Sequence, residues 1–180
     1  MIRLFVGISV PESIRERLAG LGGGVPGASW VNPENLHLTL RFIGEVENGL
    51  AEDIDAALLQ LRAPGFALTL DGVGFFGKPG AARTLWAGIR KCDALMHLQG
   101  KVETAVRRAG LPAEERKFAP HITLARLKGA PVPRLQRFVE EHAAFLAGPF
   151  PVDRFILYSS FRSRSGAIYT PEADYPLDPA

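Results

Sequence analysis

The chain has 180 residues, room for one sizeable core but not for two full domains. At this length folding buries roughly 70% of the unfolded surface, so no disulfide or metal staple is required. Hydrophobic residues at 47% and charged residues at 22% exclude a disordered chain, and 21 Lys+Arg against 19 Asp+Glu, a net charge of +2, exclude a coat for polyanions. The single cysteine, Cys92, excludes a disulfide framework or a cysteine-based zinc cluster and fits a reducing, cytoplasmic compartment.

In chain order, residues 2–8 are rich in branched and aromatic side chains and predict a strand, while the apolar run 2–10 is too short to span a membrane. Pro11 stands at a helix start, followed by Ile14, Leu18 and Leu21 at helical spacing. Gly22, Gly23 and Gly24 make a flexible connection. Trp30 and Val31, then 36–43, read as extended. Residues 52–61 predict a helix with Ile54, Leu58 and Leu61 as its buried stripe. Strands at 66–70 and 84–89 are joined by a Gly- and Pro-rich turn. A longer helix over 93–109 aligns Leu95, Leu98, Val102 and Val106. A strand at 121–127, a helix at 134–146 and strands at 153–159 and 166–169 complete the chain. Short turns between several strands favour antiparallel pairing. The expected fold is α+β, with mostly antiparallel sheets flanked by helices and residues 1–180 forming one domain.

Two of the predicted strands carry the same pattern: His37, Leu38, Thr39, Leu40 and His121, Ile122, Thr123, Leu124. A strand alternates its side chains, so each His and Thr share one face, with the apolar residues on the other. Only six threonines and four histidines occur in the chain, so a His–Thr pair repeated at this spacing points beyond two amphipathic strands. The histidines stand at positions 37 and 121, about half the chain apart. That predicts two similar lobes, each supplying one motif strand, with the strands side by side at a central groove. Two imidazoles facing one point can act as base and acid together, because both protonation states are accessible near neutrality. The threonine hydroxyls can donate to phosphoryl oxygens as charge builds there. The chemistry indicated is phosphodiester cleavage without a metal. Zinc would need three or four protein ligands, and neither quoted motif offers a Cys, Asp or Glu.

At these residues the sequence resembles the two-histidine phosphoesterase superfamily, and within it the RNA 2′,3′-cyclic phosphodiesterases, also called 2′–5′ RNA ligases (LigT/ThpR type). The similarity extends through Arg3 to Ile8, Leu36 to Val46, Leu85 to Gly88, Phe118 to Arg126, Leu157 to Ser160 and Gly166 to Tyr169. It implies hydrolysis of a 2′,3′-cyclic phosphate to a 2′-phosphomonoester, reversible at 2′–5′ linkages, with no cofactor. It also implies His37 as proton donor, His121 as proton acceptor, and Thr39 and Thr123 as phosphate ligands. The residues themselves are symmetric between acid and base. The resemblance places Arg126 near the phosphate, although strand alternation turns it to the wrong face unless a bulge intervenes. Arg41 shares parity with His37 and is a second candidate.

The expected partners are RNA 3′ ends or small cyclic-phosphate nucleotides, bound by a monomer away from membranes. A 2′–5′ oligonucleotide substrate, or a binding module that only grips RNA ends, are the rival readings. Residues 107–137 hold eight Lys/Arg against Glu114 and Glu115, a local +6 that suits an RNA backbone. Phe42 and Phe118 could stack on a base but are expected in the core. His97 is expected at the surface and His142 in packing, with no chemistry at Cys92. Gly72 to Gly80 is glycine-rich but lacks the Gly-Lys-Ser/Thr ending of a phosphate-binding loop.

Overall fold

The computed structural model describes residues 1–179. In chain order the elements are β1 (Ile2–Ser9), α1 (Glu12–Ala19), β2 (Ala28–Trp30), β3 (His37–Val46), α2 (Asn48–Leu59), β4 (Phe66–Phe76), β5 (Thr84–Ile89), α3 (Asp93–Arg108), β6 (His121–Leu127), α4 (Val132–Glu141), β7 (Leu146–Val152), β8 (Arg154–Ser163) and β9 (Gly166–Pro176). A single 3₁₀ turn at Pro33–Asn35 leads into β3. The fold is α+β, and all strand pairs are antiparallel.

The strands form one curled sheet in the order β7-β4-β5-β6-β3-β1-β8-β9, with β2 added to β6. One face carries the helices. Leu95, Leu98, Val102 and Val106 of α3, Ile54 and Leu58 of α2, and Leu135 and Phe138 of α4 join Leu38, Leu40, Ile122 and Leu124 of the sheet in a single core. Each of these buried apolar side chains contributes roughly 1.5–3 kcal/mol of transfer free energy. The Tyr175 hydroxyl donates to Asp55 (2.6 Å) and ties β9 to α2.

The strand order is symmetric about the β6–β3 junction. Outward from it, β6 is followed by β5, β4 and β7, and β3 by β1, β8 and β9. The two sides are not successive halves of the chain, because β8 and β9 return from the C-terminal region to pair beside β1.

Four elements depart most from the sequence expectation. The helix expected over 134–146 spans Val132–Glu141, and Leu146–Val152 is instead an edge strand. Pro149 and Pro151 suit that edge, where a missing N–H removes no central ladder bond. The last strand runs on to Pro176, again at a sheet edge that tolerates Pro171. Strand β4 continues past Leu70 to Phe76 because Gly74 makes room for the Trp86 ring, which a Cβ there would overlap.

Candidate active site

Bulges decide which side chains reach the open face of the sheet. On β3, Gly7 faces Thr39 but Val6 faces Arg41, so Leu40 is an extra residue. On β6, Trp86 faces Thr123 but Leu85 faces Ala125, so Leu124 is the equivalent extra residue. After each bulge the alternation is inverted. Arg126 therefore lies on the same face as His121 and Thr123 and lines the cleft between the motif strands. By the same inversion Arg41 turns into the protein, which corrects its candidacy for the phosphate. It is 7% exposed and donates to Glu103 (2.6 Å), the Phe42 carbonyl (2.7 Å) and the Pro112 carbonyl (2.5 Å). Burial favours the neutral Glu103 carboxyl, but hydrogen bonds from Arg41 and the Glu114 N–H, with the charges of Arg41 and Arg107, outweigh it and hold the group below the usual carboxylate range.

The two motif strands meet at one residue pair, Leu38 opposite Ile122. Because those two point to the core, His37, Thr39, His121 and Thr123 all stand on the other face around one point. They line a cleft of about 550 Å³ together with Arg126, Asn35 and Tyr169. In both histidines Nδ1 meets a carbonyl two residues earlier: Asn35 for His37 and Ala119 for His121, each at 2.6 Å. A carbonyl only accepts, so each Nδ1 carries the proton and each Nε2 is the reactive nitrogen. The Asn35 side chain in turn donates to the Ala167 carbonyl (2.8 Å) and fixes the approach to β3.

The two imidazoles differ in surroundings. His37 is packed among Phe5 (4.8 Å between centroids), Tyr169 (5.3 Å, edge-on) and Tyr158 (6.1 Å). Gly7 allows this approach, since a Cβ there would sit 2.9 Å from the Leu38 carbonyl and 3.4 Å from the His37 ring. Burial pushes the His37 pKa down; the hydrogen bond to Asn35 opposes it, and repulsion from His121 adds to the lowering. Its Nε2 accepts the Thr39 hydroxyl at 2.8 Å. His121 has Phe76 edge-on at 4.8 Å, and its Nε2 makes no hydrogen bond among the described residues.

Phe5, Tyr158 and Tyr169 were not singled out from the sequence. Their signal was strand parity, readable only once β3, β1, β8 and β9 are known to lie side by side in that order. The carbonyls of Asn35 and Ala119 carry no side-chain signature at all. Phe42, expected in the core, is 44% exposed and lines the cleft, whereas Phe118 does pack against the core. His97 is exposed, His142 stacks edge-on against Phe138 (4.3 Å), and Cys92 is half-buried at the start of α3. Of the eight basic residues in the 107–137 window, Arg126 alone lines the cleft; its other cations, Arg3 and Arg162, come from outside that window. Among the described residues no three His, Cys, Asp or Glu side chains gather as a metal site, and no helix is long and apolar enough to cross a membrane.

Sequence comparison agrees with this arrangement. The profile described as LigT-like phosphoesterase matches residues 8–86 and 89–169, and each span holds one His–Thr motif. The chain belongs to the LigT-like phosphoesterase family. Among relatives, a Thermotoga maritima protein named RNA 2′,3′-cyclic phosphodiesterase is 35% identical, with 93% of this chain and 91% of that protein aligned. An Escherichia coli protein of the same name is 31% identical over 94% of this chain and 93% of its own length. Among solved structures, TT0787 of Thermus thermophilus superposes with a TM-score of 0.83 at 30% identity, and E. coli LigT complexed with 3′-AMP with 0.77 at 31%. Each of those superpositions covers 98% of both chains.

Proposed function

We propose that this LigT-like phosphoesterase opens RNA 2′,3′-cyclic phosphate ends by paired histidine acid–base catalysis. The chain is an RNA 2′,3′-cyclic phosphodiesterase by family, and the observation that carries the mechanism is the convergence of two Nε2 atoms on one cleft. His121 Nε2 takes a proton from water as its oxygen attacks phosphorus. The P–O3′ bond breaks, and His37 Nε2 delivers a proton to the leaving oxygen. The products are a 2′-phosphomonoester and a free 3′-hydroxyl. The assignment is supported by His121 Nε2, whose lone pair is not engaged by a protein donor in the resting site.

His37 Nε2 must be protonated to act, although burial favours its neutral form. A bound phosphate supplies the negative charge that favours the protonated form. Thr39 then turns its hydroxyl from His37 to a non-bridging oxygen, opposite Thr123, and Arg126 offsets the developing charge. The donor set supports turnover without a metal, and both histidines lie on one chain, which supports a monomeric single-domain enzyme. With one cysteine it fits the cytoplasm. Nucleotide complexes of E. coli LigT with 3′-AMP and ATP support a nucleotide end as the ligand; 2′–5′ ligation is the same ring opening with a ribose 5′-hydroxyl in place of water, and its reverse cleaves a 2′–5′ linkage.

The test is incubation with a short RNA ending in a 2′,3′-cyclic phosphate, with EDTA present, followed by location of the product phosphate. The expected product is the 2′-phosphate at an undiminished rate. A 3′-phosphate, or loss of activity on chelation, contradicts the mechanism.

A further inference from the structure

We propose that the arm of the cleft beyond Thr39 is a nucleobase subsite that reads an N–H-rich Watson–Crick edge, with Phe42 as the stacking platform and Glu45 as the reader. It rests on the phosphodiesterase reading above. A second bulge sets it up: Phe5 faces Phe42 but Leu4 faces Gly44, so Ile43 is an extra residue. Phe42 and Glu45, three apart in sequence, consequently share the cleft face, and Gly44 takes the positive φ of +90° that the kink needs. The Arg3 guanidinium lies 5.2 Å from the Phe42 ring centroid and steadies it.

The symmetry of the sheet gives this arm its meaning. Phe42 follows His37 by five residues and one bulge, as Arg126 follows His121. The two occupy matching places on either side of the reacting point with opposite chemistry: a cation suits a phosphate, and a flat apolar ring suits a base. Spacing along β1 supplies the scale. Gly7 faces Thr39, Phe5 faces Phe42 and Arg3 faces Glu45. At about 3.3 Å per residue, Phe42 lies about 7 Å and Glu45 about 13 Å beyond Thr39. A nucleotide with its phosphate at Thr39 lays its base on Phe42 and turns its outer edge to Glu45.

Glu45 forms no ion pair among the described residues, although Arg3 stands opposite it in register. An ionised carboxylate only accepts hydrogen bonds, so it selects for N–H donors. Guanine presents two adjacent donors, N1–H and the 2-amino group. Cytosine and adenine present one amino group. Uracil sets carbonyl oxygens on both sides of its single N–H and is repelled. The expected order of preference is guanine, then cytosine and adenine, then uracil.

The experiment compares kcat/KM on four RNAs that differ only in the base bearing the terminal cyclic phosphate, for the unmodified protein, Glu45→Gln and Phe42→Leu. The guanine end is expected to exceed the uracil end by at least about tenfold, the discrimination of one bidentate pair. Glu45→Gln is expected to bring that ratio close to one, and Phe42→Leu to lower kcat/KM on all four ends. Equal turnover of the four ends, or a ratio unchanged in Glu45→Gln, overturns the base reading and leaves the phosphodiesterase reading standing. Absence of turnover on every end overturns both.

Discussion

The two sides of the cleft share a backbone plan and differ in what fills it. Trp86 on β5 stands where Gly7 stands on β1, and Phe76 on β4 where Tyr158 stands on β8. On the His37 side the glycine lets aromatic rings close over the imidazole; on the His121 side the indole fills that space, and only the Phe76 edge meets the ring. Identical bulges then deliver Phe42 on one side and Arg126 on the other. Asymmetric contents in a symmetric frame give the two imidazoles different surroundings, as separate acid and base roles need, although burial alone favours the neutral His37 and bound phosphate must oppose it.

The sharpest way to break the comparison is to remove either histidine. His37→Ala and His121→Ala are each expected to lower kcat by about 10²–10⁴ without unfolding the protein, as checked by turnover and circular dichroism. Near-full activity in either variant would end the paired scheme. Arg126→Ala is expected to lower kcat/KM by about 10²-fold, as for a lost transition-state donor.

Stability separates a buried ion pair from an exposed one. Glu103→Ala leaves the 7%-exposed Arg41 charge without its counter-ion and is expected to cost about 3 kcal/mol in urea unfolding. Arg62→Ala, which breaks an exposed pair with Asp178, should leave the urea midpoint almost unchanged.

The His37 surroundings set a pH dependence with two signs. As an acid, His37 works only when protonated, and its pKa is lowered, so kcat/KM is expected to fall with rising pH from below the ordinary imidazole value. Phe5→Ala, which opens the ring to water, should move that limb to higher pH. For folding, a lowered His pKa means the unfolded chain binds the proton more readily. The His37 contribution to stability is then complete above the ordinary value and lost as pH falls through the folded one. Urea midpoints measured between pH 8 and pH 5 should decline less in His37→Gln. A small effect on folding is expected at Trp86, whose indole N–H is buried with no acceptor among the described residues. Trp86→Phe removes that cost while losing some packing, for a net change within about 1 kcal/mol.

Much of this was legible in the sequence. The helical stripe of α3 and the alternation around each motif predicted the core, and the repeat predicted adjacent strands. The side chains that were not legible have a common cause. A bulge adds one residue to one strand opposite a particular partner, and partner strands come from distant parts of the chain. Parity counting therefore made Arg41 a second candidate for the site, and Phe42 was expected in the core; the bulge at Leu40 reverses both. The same counting made Arg126 awkward, and the bulge at Leu124 resolves it. The short reading of β9 and the missed β7 share another cause: proline at a sheet edge looks like a strand stop until the edge is known.

The central claim is that His37 donates the proton and His121 accepts one. It is tested most directly with a 2′,3′-cyclic phosphate whose bridging 3′-oxygen is replaced by sulfur, a leaving group that departs without protonation. On this substrate His37→Ala is expected to recover most of its lost rate, while His121→Ala stays as impaired as on the oxygen parent. Recovery in His121→Ala instead, or in neither variant, would contradict the assignment.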